Sequence, residues 1–343
     1  MTPSRSRGIP PLGSDTCCAP IFIVGCGRSG TTLLRLIINR HPDLAIFGES
    51  AAFFRDRKYG YLSNPRALQR FIKDWSSAAA QHSPYPQLME SERLRSALAR
   101  AETYVGATTL IMQEFARAEQ KSVWGEKTPA HVTRLEKIFA AYPKARVIHI
   151  TRDPRAVVSS ATIHLGNGRF EPAGAYAIAR YWVRCEAEIQ KFVARFPDKI
   201  AMIRYEDLVT QTEAVVRRLC EFLGVIYDNG MLDIAASAQR YAPKTEAGGE
   251  ILRNHLGLTK NINAGALDNW RETLRPELTA LVENATAPWF DRRGYTAAAK
   301  MVALSRTGIS FVVRARWIAQ EAWRFLYRFS LLSFWHIRAN FSG

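Results

Sequence analysis

Between Pro20 and Thr32 the chain reads Pro-Ile-Phe-Ile-Val-Gly-Cys-Gly-Arg-Ser-Gly-Thr-Thr, and this stretch restricts the fold more than any other. Ile21 to Val24 is a short apolar, β-branched run, a glycine-rich turn follows, and Thr32 to Asn39 carries helical spacing. Strand, loop and helix with Gly25 and Gly30 at G-x-x-x-x-G spacing is the phosphate-loop pattern. Glycines permit positive φ, so successive backbone N–H groups can turn inward onto an anion. The helix beginning near Thr31 adds its free N–H groups and dipole. Gly27, Arg28, Ser29, Gly30, Thr31 and Thr32 are therefore the candidate anion contacts. Thr31-Thr32 stand where a triphosphate enzyme carries Lys and Ser/Thr, and Arg28 lies three residues earlier. A loop so built holds a 5′-phosphate but is poorly equipped for ATP. The bland alternative is a glycine-rich turn without ligand.

Further strands are expected over Asp43 to Phe47, Ser122 to Gly125, Arg146 to Ile150 and Ile200 to Ile203. Helices separate them, among them Tyr176 to Phe196, and one is expected to follow Pro129 and run through Phe139. The fold class this implies is α/β: a phosphate-loop nucleotide-binding fold with a central parallel sheet flanked by helices, plus a C-terminal amphipathic helical tail. The expected organisation is a flexible Pro/Ser/Gly-rich lead-in over 1–19, one catalytic domain over 20–297, and a basic, aromatic-rich helical tail over 298–343. In that tail Arg314, Glu321, Arg324 and Arg328 share one helical face, and Val312, Ala315, Ala319, Ala322, Leu326 and Phe329 share another. Such a helix suits peripheral membrane contact, a homodimer contact, or packing on its own domain.

A net charge of +16 points to anionic partners, although a solvated basic surface has the same arithmetic. It also motivates a nucleic-acid-binding alternative, but no helix-turn-helix, zinc or RNA-binding signature accompanies it. Cys17, Cys18, Cys26, Cys185 and Cys220 show neither zinc spacing nor a disulfide framework. An odd cysteine count, no signal-peptide core and no long apolar stretch set the expectation of a cytoplasmic protein, peripheral to the inner face of a membrane if the tail binds there.

Three more blocks carry chemistry. Arg146 to Ile150 leads into Thr151-Arg152-Asp153-Pro154, placing Arg152 at the C-terminal end of a strand, where open α/β sheets bind ligands. Pro154 suits a first helical turn, with Asp153 as its cap and Ser160 two turns on. An arginine fork plus a hydroxyl suits a terminal phosphate, while the plain reading is an Arg–Asp surface pair. The others are Glu126-Lys127-Thr128-Pro129 and Lys260-Asn-Ile-Asn263-Ala-Gly265, which runs on to Trp270.

The Pro20-to-Leu34 segment resembles the 5′-phosphosulfate loop of the sulfotransferase family that depends on 3′-phosphoadenosine 5′-phosphosulfate (PAPS). Asn39-Arg40-His41-Pro42-Asp43 and Gly48-Glu49-Ser50 resemble its bacterial members and the tyrosylprotein sulfotransferases. The likeness spans roughly residues 20 to 295 and is dense only in the four blocks. It implies that Arg152 and Ser160 hold the 3′-phosphate of PAPS, and that Lys260, in a late basic loop, contacts phosphate. The Arg-Lys-Gly form of that loop in the cytosolic members is absent, which leaves Arg253 as an alternative cation. Tyr205 and Asn263 complete the expected nucleotide contacts.

The resemblance also places Lys127 near the transferring sulfuryl group and matches Glu49 to the acidic base. Arg28, Lys127 and the loop N–H groups are expected to meet developing charge, and Glu49 to take the proton of the acceptor hydroxyl. Plain readings stand beside these: Lys127 as an exposed helix-start lysine, and Glu49 as a buried salt-bridge partner of Arg28. His41, His131 and His149 read as structural. PAPS is the expected co-substrate and no metal is expected. The acceptor is a hydroxyl of protein tyrosine, carbohydrate or a lipid-linked glycan. The nearest competing function is a phosphate-loop kinase or nucleotide hydrolase, which would need magnesium and the missing lysine.

Overall fold

The computed structural model describes residues 19–50, 52–54, 65–82, 86–165, 172–241 and 267–298. Two compact units are present, one drawn from Met1–Arg152 and Cys185–Leu267, the other from Asp153–Arg184 and Asp268–Gly343. The expected lead-in before residue 19, the block carrying Lys260 and Asn263, and the tail beyond Ala298 lie outside the described residues.

The first unit is organised by a parallel sheet of β1 (Ile21–Gly25), β2 (Leu44–Phe47), β3 (Val123–Lys127), β4 (Arg146–Thr151) and β5 (Ile200–Arg204). Their order is β2-β3-β1-β4-β5. All pairings are parallel, with Ile23 opposite both Lys127 and Ile148. From β1 the chain turns towards β2, whereas from β4 it turns towards β5, so the strand order reverses between β1 and β4. Ligand crevices of open α/β sheets form at such a reversal, beyond the strands' carboxyl ends.

Alternation of side chains decides the two faces. Ile21, Ile23, Leu44, Ile46, Ile148 and Ile150 pack with Leu33, Leu34 and Ile37 of the helix Thr31–Ile38 and with Val215, Val216 and Leu219 of the helix Thr212–Leu223. On the other face Phe22, Phe53, Trp124 and Tyr142 form an aromatic cluster, and Phe47 meets Phe115 edge-on. Both faces are covered, as a parallel sheet requires.

β3 extends further than the sequence pattern suggests. Its last residues, Glu126 and Lys127, are charged, yet Phe22 pairs with Glu126 and Ile23 with Lys127. Pairing with β1, and for Glu126 with β2 as well, holds these polar residues extended. The helix expected directly after Pro129 is first a 3₁₀ turn, Pro129–Arg134, and then the helix Leu135–Ala141.

Asn39, Arg40 and His41 end the first helix and fasten it. The Asn39 amide donates to Ile46 O (3.0 Å) and accepts from Ile46 N (2.7 Å), and Arg35 Nε donates to the same carbonyl (2.9 Å). Arg40 Nε donates to Gly230 O (3.2 Å). His41 Nδ1 accepts from Asp43 N (3.0 Å), so its proton resides on Nε2, 2.9 Å from Ile226 O. His41 is structural, as expected. His149 is also buried within the core, 3.0 Å from the equally buried Glu186.

The described residues of the second unit are mainly helical. Ala156, Val158, Ala175, Ala179, Trp270, Leu274, Leu278, Val282 and Ala285 form its core. Asp153 Oδ1 accepts from Arg155 N (2.8 Å) and so caps the helix Pro154–Leu165, with Pro154 in its first turn. Arg155 is the hub of this unit. It bonds Asp153, Glu283 (2.6 Å) and Thr296 O (3.0 Å) and lies 4.0 Å from the Trp270 ring centre.

Candidate active site

The loop after β1 owes its shape to three residues with positive φ: Gly25 (154°), Arg28 (71°) and Gly30 (91°). A Cβ at Gly25 would fall 2.4 Å from Ile150 O, and one at Gly30 would fall 2.3 Å from Tyr205 Cδ2. Neither position admits a side chain. Arg28 in the left-handed region is unusual for a residue with a Cβ, and such strain collects where a ligand is gripped. The helix Thr31–Ile38 starts at Gly30 without a capping side chain, so its first N–H groups are left to another acceptor. Ser29 is fully buried and its Oγ has no protein partner. A buried hydroxyl without a partner, beside a helix start that no side chain caps, fits a phosphate or sulfate oxygen.

Arg152 follows β4 and reaches the same loop, its Nη1 donating to Arg28 O at 3.2 Å. Tyr205, the residue after β5, lies under it with the guanidinium carbon 4.3 Å from the ring centre. The same ring fills the space left by Gly30. Burial lowers the pKa of Arg28, neighbouring Arg152 lowers it further, and Glu49 opposes both. Two adjacent guanidiniums in a partly buried loop favour a multiply charged anion.

Glu49 follows β2 and Lys127 ends β3; Lys127 Nζ lies 2.5 Å from Glu49 Oε1. The lysine side chain is 3% exposed and the glutamate 45%. Lys127 is thus a buried strand residue, which overturns the reading of an exposed helix-start lysine. Burial pushes its ammonium below the usual range, Glu49 opposes that shift, and Arg35 adds to it. Each strand's carboxyl end therefore supplies an expected residue: the Gly25–Thr32 loop from β1, Glu49 from β2, Lys127 from β3, Arg152 from β4 and Tyr205 from β5. Gly25, Lys127, Arg152 and Tyr205 continue the alternation of the face bearing the helix Thr31–Ile38.

Sequence reasoning missed Glu126. It is 1% exposed and receives Ser50 N (3.1 Å), Ser50 Oγ and Thr128 Oγ1 (2.5 Å), with His131 Nδ1 at 3.2 Å. Burial works to raise its pKa, but His131, Ser50 and Thr128 outweigh it and hold the carboxyl below its ordinary value. His131 is fully buried and accepts from Phe53 N at 3.3 Å through Nε2, a structural role. The signal available was a charged residue inside a strand, since buried carboxylates in sheets need partners.

Ser160 is half-buried on the helix Pro154–Leu165, in the second unit. Its neighbour Ser159 meets Thr273 Oγ1 at 2.6 Å. Thr31 is buried and Thr32 half-buried. Lys260, Asn263 and the alternative Arg253 lie outside the described residues. Among the described residues no group of three or more His, Cys, Asp or Glu is placed to hold a metal ion. No helix among them is long and apolar enough to cross a membrane.

Fold and site together define a phosphate-loop α/β protein that directs a buried hydroxyl, two arginines and a lysine–carboxylate pair to one sheet edge, without the lysine of triphosphate enzymes. A family model described as "Sulfotransferase family" matches residues 20–229, and the chain belongs to that family. Curated relatives include protein-tyrosine sulfotransferase A of Caenorhabditis elegans, 24% identical over 80% of this chain and 67% of the relative. Another is omega-hydroxy-beta-dihydromenaquinone-9 sulfotransferase Stf3 of Mycobacterium bovis, 27% identical over 60% of this chain and 63% of the relative. Among solved structures, the sulfotransferase domain from the curacin biosynthetic pathway shares the fold. Its TM-score is 0.57 at 18% identity, over 82% of this chain and 99% of that domain.

Proposed function

We propose that this chain moves a sulfuryl group from PAPS to a hydroxyl of a larger acceptor, a protein tyrosine, a carbohydrate or a lipid-linked glycan. The observation that carries this is the meeting of two anion grips, the Ser29 loop and Arg152, 3.2 Å apart at Arg28 O. A nucleotide with phosphate on both its 5′ and 3′ sides suits such a pair, and the unpartnered Ser29 Oγ suits its 5′ end. Bound PAPS supplies an activated sulfur–oxygen bond. Gly27, Arg28, Ser29, Gly30, Thr31 and Thr32 hold the 5′-phosphosulfate, and Arg152 with Ser160 holds the 3′-phosphate. Tyr205, Lys260 and Asn263 complete the nucleotide contacts.

Glu49 is the base. Lys127 Nζ lies 2.5 Å from its carboxylate, and the glutamate side chain is 45% exposed, within reach of an incoming hydroxyl. As the acceptor oxygen bonds to sulfur, its proton passes to Glu49. The electron pair of the broken bond remains on the 5′-phosphate oxygen. Arg28, Lys127 and the loop N–H groups stabilise the charge that develops there, and positioning with cations is the main source of rate in such transfers. Relatives that sulfate tyrosine and a hydroxylated menaquinone support a hydroxyl on a macromolecule or lipid as acceptor.

Calorimetry with adenosine 3′,5′-bisphosphate, set against ATP with magnesium, tests the donor. Tight binding of the bisphosphate alone is expected, and no heat with it ends the proposal. Incubation of the enzyme and [³⁵S]PAPS with host extract then identifies the acceptor from the labelled species.

A further inference from the structure

Glu49 and Ser50 are consecutive residues after β2, and Glu126 and Lys127 are consecutive residues at the end of β3. The parallel register places Phe47 opposite Glu126, so Glu49 and Ser50 follow just past the end of β3, within reach of its last two side chains. Side chains alternate along a strand, so Lys127 reaches Glu49 from one face of the sheet while Glu126 reaches Ser50 from the other. Glu126 takes both the backbone N–H and the hydroxyl of Ser50. Ser50 Oγ in turn accepts from Ala52 N (3.1 Å), His131 Nε2 accepts from Phe53 N, and Tyr104 OH donates to Ala52 O. The backbone just beyond Glu49 is thereby fixed to β3 and to its neighbours.

We propose that Glu126 is a positioning residue for sulfuryl transfer, acting through Ser50 to hold the Glu49 carboxylate where it receives the acceptor proton. The inference rests on the reading of Glu49 as the base. Ser50 N, Ser50 Oγ and Thr128 Oγ1 all donate to Glu126 Oε1, while Oε2 faces His131 Nδ1 at 3.2 Å. Replacing Glu126 by Gln sets the amide N–H₂ either against the His131 Nδ1–H or, with the amide turned, against those three donors, so in both arrangements donor meets donor and the seat of Ser50 shifts. The Glu49 backbone then loses its fixed direction, and misplacement by about 1 Å costs up to about 100-fold in rate.

The experiment is single-turnover release of [³⁵S]sulfate from enzyme-bound PAPS to water, which uses the same base and needs no identified acceptor. Wild type, Glu126→Gln, Glu49→Gln and the double variant are compared, with calorimetry on adenosine 3′,5′-bisphosphate counting the folded sites. Glu126→Gln is expected to bind the bisphosphate like wild type and to turn over about 10- to 100-fold more slowly. On the Glu49→Gln background the same change is expected to have no further effect, because the residue acts through Glu49. A purely structural role predicts instead fewer folded sites with wild-type turnover per site, or an equal loss on both backgrounds, and either result overturns the proposal. If Glu126→Gln does not fold, Ser50→Ala carries the same cycle, and wild-type turnover by that variant also overturns it. Wild-type turnover by Glu49→Gln would sink the assignment of the base itself, a result distinct from failure at Glu126.

Discussion

Gly30 is where the backbone of the anion loop and the ring beneath Arg152 touch, which makes Gly30→Ala a sharp perturbation. An alanine there must adopt φ of 91°, at a cost of roughly 1–2 kcal/mol. Its Cβ would also sit 2.3 Å from Cδ2 and 2.8 Å from Cε2 of Tyr205, so the ring must move, and overpacking of this kind costs about 1–3 kcal/mol. Together these amount to about 2–5 kcal/mol, a large part of the roughly 5–15 kcal/mol that stabilises a folded domain. Displacing the ring also removes a cation–π contact with the Arg152 guanidinium, 4.3 Å away and worth about 0.5–2 kcal/mol. That alone weakens a ligand held by Arg152 by about 2- to 30-fold. Calorimetry with adenosine 3′,5′-bisphosphate and thermal unfolding, applied to Gly30→Ala, Tyr205→Ala and the double variant, read both effects. With the ring gone the alanine pays only its dihedral cost, so the double variant should be more stable than the sum of the singles by about 1–3 kcal/mol. Additivity within about 0.5 kcal/mol, or wild-type affinity in Gly30→Ala, would refute the idea that Tyr205 couples the loop to Arg152.

Glu49→Gln should lower turnover by roughly 10²-fold or more with bisphosphate affinity nearly intact, as measured by [³⁵S]PAPS transfer beside calorimetry. Lys127 must be protonated to stabilise charge, and burial lowers its pKa. Turnover should therefore be full below that pKa and fall as pH rises through it, at a pH below the ordinary lysine value of about 10.4. Lys127→Arg should remove this alkaline limb from the pH–rate profile, and a limb that persists unchanged assigns it to another group. Arg155→Ala leaves the carboxylates of Asp153 and Glu283 without their buried partner. A loss of about 3–5 kcal/mol in unfolding free energy is expected, and an unchanged denaturation midpoint would contradict the hub role.

The strands and the anion loop were legible because their signals are local: β-branched runs, glycine spacing, and a proline after an aspartate at a helix start. Arg152, Glu49 and Tyr205 were legible as strand-end residues for the same reason. Lys127 was read as lying just after β3 and belongs to it, since its charge disguised the strand's last residues. Pairing with β1 fixes that stretch as strand, and pairing is a long-range fact. Glu126 was overlooked because its partners Ser50 and His131 come from two different loops, and nothing in their spacing announces a shared carboxylate. Arg155 was passed over as a neighbour of Arg152, although stacking on Trp270 brings together residues more than a hundred positions apart.

Among the described residues β2 is the outermost strand on its side of the sheet, and peptide groups of Leu44 and Ile46 are engaged by side chains. Asn39 serves both the N–H and the C=O of Ile46, with Arg35 on the same oxygen, and Lys121 Nζ reaches Leu44 O at 3.0 Å. A side-chain amide here takes the place of a sixth strand. Asn39, Arg35 and Lys121 thus occupy the groups that an arriving strand would pair with at Leu44 and Ile46, which opposes extension of the sheet along this flank.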